Sequence, residues 1–188
     1  MMHRNPARDE RTMINRALAL WGVFDALKDA AFVIREDGKS RQACLVTPEL
    51  EAAVAGLEPL YCGLAVGDLA KHFSPTMEGA DLFARLSGGG KYYVAVGENA
   101  EKLVLYGRDV MGDSVTNAAS DIGENELVII TNRAGEAIGV GRTRFAGKLM
   151  TQKGKITVTT LKDAGRYLRE EDGERQAKMS RSPRRRRS

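Results

Sequence analysis

Three runs decide the fold: LVLYGRDVM (103–111), NELVIITNRAGEAIGVGRTRF (125–145) and GKITVTTLKDAGRYLR (154–169). Within them stand three apolar, β-branched pieces, Leu103–Tyr106, Leu127–Thr131 and Ile156–Thr160. Each has the length of a strand and stops at a turn signal. Asn132-Arg133-Ala134-Gly135 reads as a hairpin turn, with Gly135 free to take positive φ. The strand after it, Ala137–Arg142, contains Gly139 and Gly141. Glycine inside a strand marks a bulge or the close approach of another backbone. Gly107 to Met111 reads as a short helical turn, Ser114–Ser120 as a short helix or loop, and Asp163–Glu171 as a closing helix. So many short strands in so few residues imply a small, closed or nearly closed β-barrel.

Upstream, Asn5-Pro6 signals a helix start. Met13, Ala17, Leu20, Trp21, Phe24 and Leu27 recur at three- and four-residue steps, an amphipathic helix running to about Lys28. Trp21 lies on its apolar face and is assigned to the core. Ala31–Arg35 and Gln42–Thr47 flank Asp37-Gly38, a hairpin. Thr47 caps a short helix to about Ala55. Leu60–Leu69, punctuated by Gly63 and Gly67, is a strand with a bend or bulge. Pro75-Thr76 starts a helix that Gly88-Gly89-Gly90 ends, and Lys91–Val96 is a strand. The fold class is α+β, with a mixed, largely antiparallel sheet in an N-terminal sandwich-like domain (1–97), a C-terminal barrel (98–171) and a basic, disordered tail (172–188).

The net charge of +4 hides a division. Residues 175–188 hold seven basic side chains and no acid, so the remainder carries 22 basic and 25 acidic residues, a net −3. Against that acidic background, Ala137 to Lys162 holds six cations and no acid: Arg142, Arg144, Lys148, Lys153, Lys155 and Lys162. Strand alternation places Lys153, Lys155, Thr157 and Thr159 on one face, with Ile156 and Val158 on the other. Ammonium and hydroxyl groups beside a packed interior suit phosphate and ribose contacts.

Catalytic alternatives fare worse. His3 and His72 are the only histidines, neither cysteine has a partner at ligand spacing, and no metal or other cofactor is expected. Cys44 and Cys62 sit in apolar runs and read as buried thiols. Gly88-Gly89-Gly90 and Gly139-x-Gly141 match no phosphate-binding fingerprint. No run of about 18 apolar residues suggests a membrane span, and the first residues lack the apolar core of a secretory signal.

Tyr106-Gly107…Val110, Gly135-Glu136…Gly139 and Asp163-x-Gly165-x-Tyr167-Leu168-Arg169 together resemble a PUA domain, an RNA-binding module. With Gly63-x-x-x-Gly67-x-x-x-Lys71 and Lys91-Tyr92 upstream, residues 5 to 171 resemble the Nip-seven type of ribosome biogenesis factor of archaea and eukaryotes. The resemblance implies a non-catalytic RNA-binding adaptor acting in pre-rRNA processing and large-subunit assembly. It also implies a monomer with pre-ribosomal protein partners, in the cytoplasm or, in a eukaryote, the nucleolus. The alternative is an accessory protein that presents tRNA or rRNA to a separate modification enzyme. The resemblance to archaeal members, whose PUA domain holds uridine-rich RNA through basic residues of the last strand, implicates Lys155, with Thr157 in line on that strand and Lys162 just past its end. Arg142 and Arg144 would compensate for threonines on that strand. The glycine turn at Gly107 would expose Arg108 to phosphate, or Arg108 would cap a helix at Asp109-Val110.

Overall fold

The computed structural model describes residues 2–38, 40–53, 57, 59–166 and 169. Two sheets organise the chain. The first has five strands in sequential order: β1 (Met2–Arg4), β2 (Ala31–Asp37), β3 (Ser40–Val46), β4 (Leu64–Leu69) and β5 (Phe73–Pro75), each antiparallel to its neighbours. Asp37 pairs with Ser40 across the expected Asp-Gly turn, where Gly38 has φ +57°. Ala43 pairs with Gly67 and Cys44 with Ala65, so Val66 is an extra residue and β4 carries the expected bulge. Cys44 and Cys62 are buried and free, and burial pushes the Cys44 thiol up.

Helix α1 (Arg8–Leu20) begins after Ala7, not at Asn5. The Glu10 side chain turns back to accept from the Ala7 N–H at 2.9 Å, giving the start a cap that its first residues lack. The single long helix expected to Lys28 breaks at Gly22, φ +72°, before a short turn α2 (Phe24–Leu27). Trp21 is 2% exposed, as its place on the apolar face requires. Thr47 accepts from the Leu50 N–H (3.2 Å) at the start of α3 (Pro48–Ala53). Thr76 accepts from the Gly79 N–H (2.9 Å) at the start of α4 (Met77–Ser87), which Gly88 closes at φ +65°. Gly79 brings α4 onto β4: a Cβ there would lie 2.6 Å from the Val66 carbonyl carbon.

The second sheet contains β6 (Tyr93–Val96), β7 (Val110–Met111), β8 (Val115–Ala118), β9 (Leu127–Thr131), β10 (Ala137–Thr143) and β11 (Ile156–Asp163), in the order β7-β11-β10-β9-β6-β8. Its outermost strands, β7 and β8, are consecutive in the chain and joined by a 3-10 turn at Gly112–Ser114. The two margins are thereby held together and the sheet curls into a nearly closed barrel around Val94, Val104, Val128, Ile130 and Val158. β6 pairs in parallel with β9 and antiparallel with β8, so Tyr93–Val96 belongs to this sheet, N-terminal to the expected boundary at 97/98.

Leu103–Tyr106 is not a strand. It ends helix α5 (Glu98–Leu105), which buries Ala100 and Val104 one turn apart. The helix finishes on Gly107 (φ +74°), with Gly107 N–H to Val104 O at 2.8 Å and Arg108 N–H to Leu103 O at 2.9 Å, a Schellman ending. Val110–Met111 is the strand β7 where a helical turn was expected, and 115–118 is the strand β8. Arg166 and Arg169 are helical; the rest of the expected closing helix beyond Arg166, and the basic tail, lie outside the described residues.

The two units share a core. Ile129 and Val140 of the barrel pack with Ile34, Val66 and Phe83 of the first unit. Tyr93 reaches across as well, its hydroxyl donating to Trp21 O (3.0 Å) and accepting from Ser87 Oγ (2.8 Å).

Candidate nucleic-acid interface

The acid-free window forms the β10–β11 hairpin and its long connection. Arg142 pairs with Thr159 across the two strands, and Arg144 lies two residues on, on the same side. Arg142 Nη1 donates to Asn125 O (2.8 Å). Arg144 Nε donates to Thr159 Oγ1 (2.7 Å), and its Nη2 lies 3.6 Å from Asp109 Oδ2. Each guanidinium is thus pinned by part of its donor fork, and both side chains remain exposed. A guanidinium has five N–H donors in a fixed plane, so a pinned one still offers several to an anion.

Arg108 joins this group. The Thr160 hydroxyl donates to Arg108 O (2.9 Å) and the Thr160 N–H to Asp109 Oδ1 (3.0 Å), stitching the turn after α5 onto β11. Arg108 is exposed, and the segment it was read as capping is the strand β7, so the capping alternative falls away. The backbone of Arg108 therefore lies against Thr160, next to Thr159, which pairs with Arg142 and accepts from Arg144.

Lys148, Lys153 and Lys155 occupy the connection and the start of β11, all exposed. Gly112 N–H donates to Lys155 O (2.8 Å) and Gly154 N–H to Asp113 Oδ2 (2.8 Å), which fixes this end of the hairpin against the 3-10 turn. Among the described residues none of the three ammonium groups has an ion pair or side-chain hydrogen bond.

Two expected contacts fail. Thr157 is fully buried, and its hydroxyl has no partner among the described residues. Ile156 pairs with Met111 and Val158 with Val110, so Thr157 is an extra residue against β7, and the alternation that would turn its side chain to solvent is broken there. Lys162 points at the first unit. Val140 pairs with Lys162 and Gly141 with Thr160, leaving Leu161 as an extra residue. That bulge puts Lys162 on the side of Val140, which the first unit covers. Its ammonium meets Asp68 Oδ2 at 2.7 Å and Pro75 O at 2.6 Å. Lys162→Ala is expected to lower stability by about 1 kcal/mol, because the ion pair is partly screened. It should leave the salt dependence of RNA binding unchanged; denaturant melts and RNA titrations check the two halves.

The outer barrel face is thus divided. Val140 and Lys162 are taken by the first unit, while Arg142, Arg144 and Thr159 face out. Strand alternation alone pointed to Thr159, but Asp109 as the anchor of Arg144 had no sequence signal. A second basic cluster, absent from the sequence reading, lies in the first unit: Arg8 and Arg16 of α1 line a groove of about 800 Å³ with Lys71 and His72. Nothing local to the turn Lys71-His72 points at α1, and folding alone brings the two together.

Two family models match the chain: the UPF0113 PUA domain over residues 92–172, and the NIP7/UPF0113 pre-PUA domain over residues 3–77. The first match begins one residue before β6. A UPF0113 protein of Archaeoglobus fulgidus is 34% identical over 171 residues, covering 90% of this chain and 95% of that protein. Another, from Aeropyrum pernix, is 30% identical over 164 residues, 86% of this chain and 88% of that protein. Among solved structures, a conserved PUA domain protein from Thermoplasma acidophilum is similar, with TM-score 0.65 and 14% identity over 87% of this chain and 95% of that one.

Proposed function

The chain belongs to the NIP7/UPF0113 family, and from that premise we propose that it is a non-catalytic RNA-binding adaptor in ribosome assembly. It holds pre-rRNA on the outer face of the PUA barrel while the first unit meets protein partners. The observation that carries this is the outward cluster of Arg108, Arg142, Arg144, Lys148, Lys153 and Lys155 on a body whose overall charge is negative without its tail. Each unpaired ammonium can displace a condensed counterion from a phosphate, and the pinned arginines supply planar donors at fixed positions. Single-stranded segments suit the face, since it is an open strand surface and not a helix shaped for a groove.

Replacing Arg142, Lys153 and Lys155 together by alanine is expected to weaken binding to oligouridylate. It should reduce the slope of log affinity against log salt by about 2, from three contacts at about 0.7 each. An unchanged slope removes this face as the site. Sequencing the RNA that co-purifies with the full chain tests the process: pre-rRNA and large-subunit particles support it, whereas tRNA points to an accessory of a modification enzyme.

A further inference from the structure

We propose that the groove between α1 and the β4–β5 turn is a docking site for an acidic, leucine-bearing segment of a partner protein. Among the described residues of the first unit, four cations have no ion pair or side-chain hydrogen bond: Arg8, Arg11, Arg16 and Lys71. The other described cations are held: Arg4 and Arg41 by Glu10, Lys28 by Asp25, Arg35 by the Gln42 side chain, Arg85 by Asp81 and Lys91 by Asp121. Three of the four unpaired cations line this one groove, and Asp9 is the one acid among its described lining residues. The first unit is net negative, with 13 acids and 11 cations through Asn99. Three uncompensated cations on one cleft of an acidic unit make a local field that selects an anion.

The floor identifies the class of anion. Its aromatic rings are closed, with Trp21 2% and Phe73 8% exposed, so neither offers a face for a nucleobase. What is open on the floor is aliphatic: Leu20, 46% exposed, with the half-buried Met13 beside it, while the exposed imidazole of His72 stands on the opposite wall. An aliphatic side chain covers such a surface and gains by burial, roughly 0.8 kcal/mol per methylene. The cations set the spacing. Arg8 and Arg16 are eight residues apart on one helix, about 12 Å along its axis. Lys71 and His72 form the opposite wall. The occupant is a peptide with carboxylates about 12 Å apart on either side of a leucine-like side chain. The site is separate from the barrel face and does not depend on what that face binds.

The test uses the full chain, isotope-labelled, followed by amide NMR. A short synthetic peptide alternating glutamate and leucine should shift the amides of Arg8 to Trp21 and Lys71 to Phe73, leaving β10 and β11 unmoved. Arg16→Glu with Lys71→Glu should weaken it about tenfold or more, as should Leu20→Ser, with melting temperatures near that of the parent. Three results overturn the proposal. The amides stay put at about 1 mM peptide, a concentration at which even weak complexes form. A lysine–leucine peptide binds as well. Or oligouridylate fills the groove and the acidic peptide does not, which makes it a nucleic-acid surface.

Discussion

Glu10→Gln is expected to cost about 3 kcal/mol at neutral pH and to flatten the acid limb of the stability profile. Glu10 is 2% exposed and holds together three parts of the first unit. Arg4 of β1 donates to both of its oxygens, at 2.6 and 2.8 Å, Arg41 of β3 donates at 3.0 Å, and the Ala7 N–H at 2.9 Å. The Arg4 hydrogen bonds come first among the causes that hold this carboxyl down to about 2, against an ordinary value of 4.5; burial opposes them. A carboxyl depressed on folding stabilises the folded state above its unfolded value. The contribution drains away as pH falls from about 4.5 to about 2, at about 1.4 kcal/mol per pH unit. Glutamine cannot titrate, so the variant should lose far less stability across that interval than the parent. Urea titrations at pH 7 and pH 3 measure both effects. Equal losses on acidification in both proteins would mean that Glu10 is not the titrating group.

Gly79→Val should cost about 3 kcal/mol or more, at the upper end for an overpacked site. A Cβ would meet the Val66 carbonyl oxygen first, then the carbonyl carbon and Cα at 2.6 and 2.8 Å, and backbone cannot swing aside as a side-chain tip can. Helix α4 would have to lift from β4. Because α4 also packs on β10, that shift reaches the seam between the units, where Val140 and Lys162 are seated. Thermal melts read the stability loss. Greater protease sensitivity around Asp68–Pro75 would locate it at the seam, and a melting temperature equal to the parent's would contradict the tight approach of α4.

Much of the fold is legible where one local signal is strong. Asp37-Gly38, Thr76 with Gly88, and Asn132–Gly135 each carry their own turn or cap chemistry, and the chain obeys them. The failures come where local and tertiary preferences separate. Leu103–Tyr106 has a strand's composition, yet Ala100 and Val104 form one buried stripe between Gly97 at the start of the helix and Gly107 just past its end. β7 and β8 are two and four residues long and exist through their partners. In the candidate site the exposed lysines follow from charge density alone. Lys162 does not, because a one-residue bulge at Leu161 is invisible to period-two counting. The groove in the first unit escaped for a similar reason: its two walls, around residues 8–16 and 71–72, are joined only by folding.

The three-residue link between β7 and β8 reaches beyond the shape of the second sheet. Its margins β7 and β8 are brought together by that link and are only two and four residues long, so a neighbouring molecule finds little backbone there to zip onto. Open margins remain on the other sheet, at β1 and β5, each three residues long, and proline ends β5 with no N–H to offer. Fibril-like stacking is thereby disfavoured at high concentration, and contacts between copies are left to side chains.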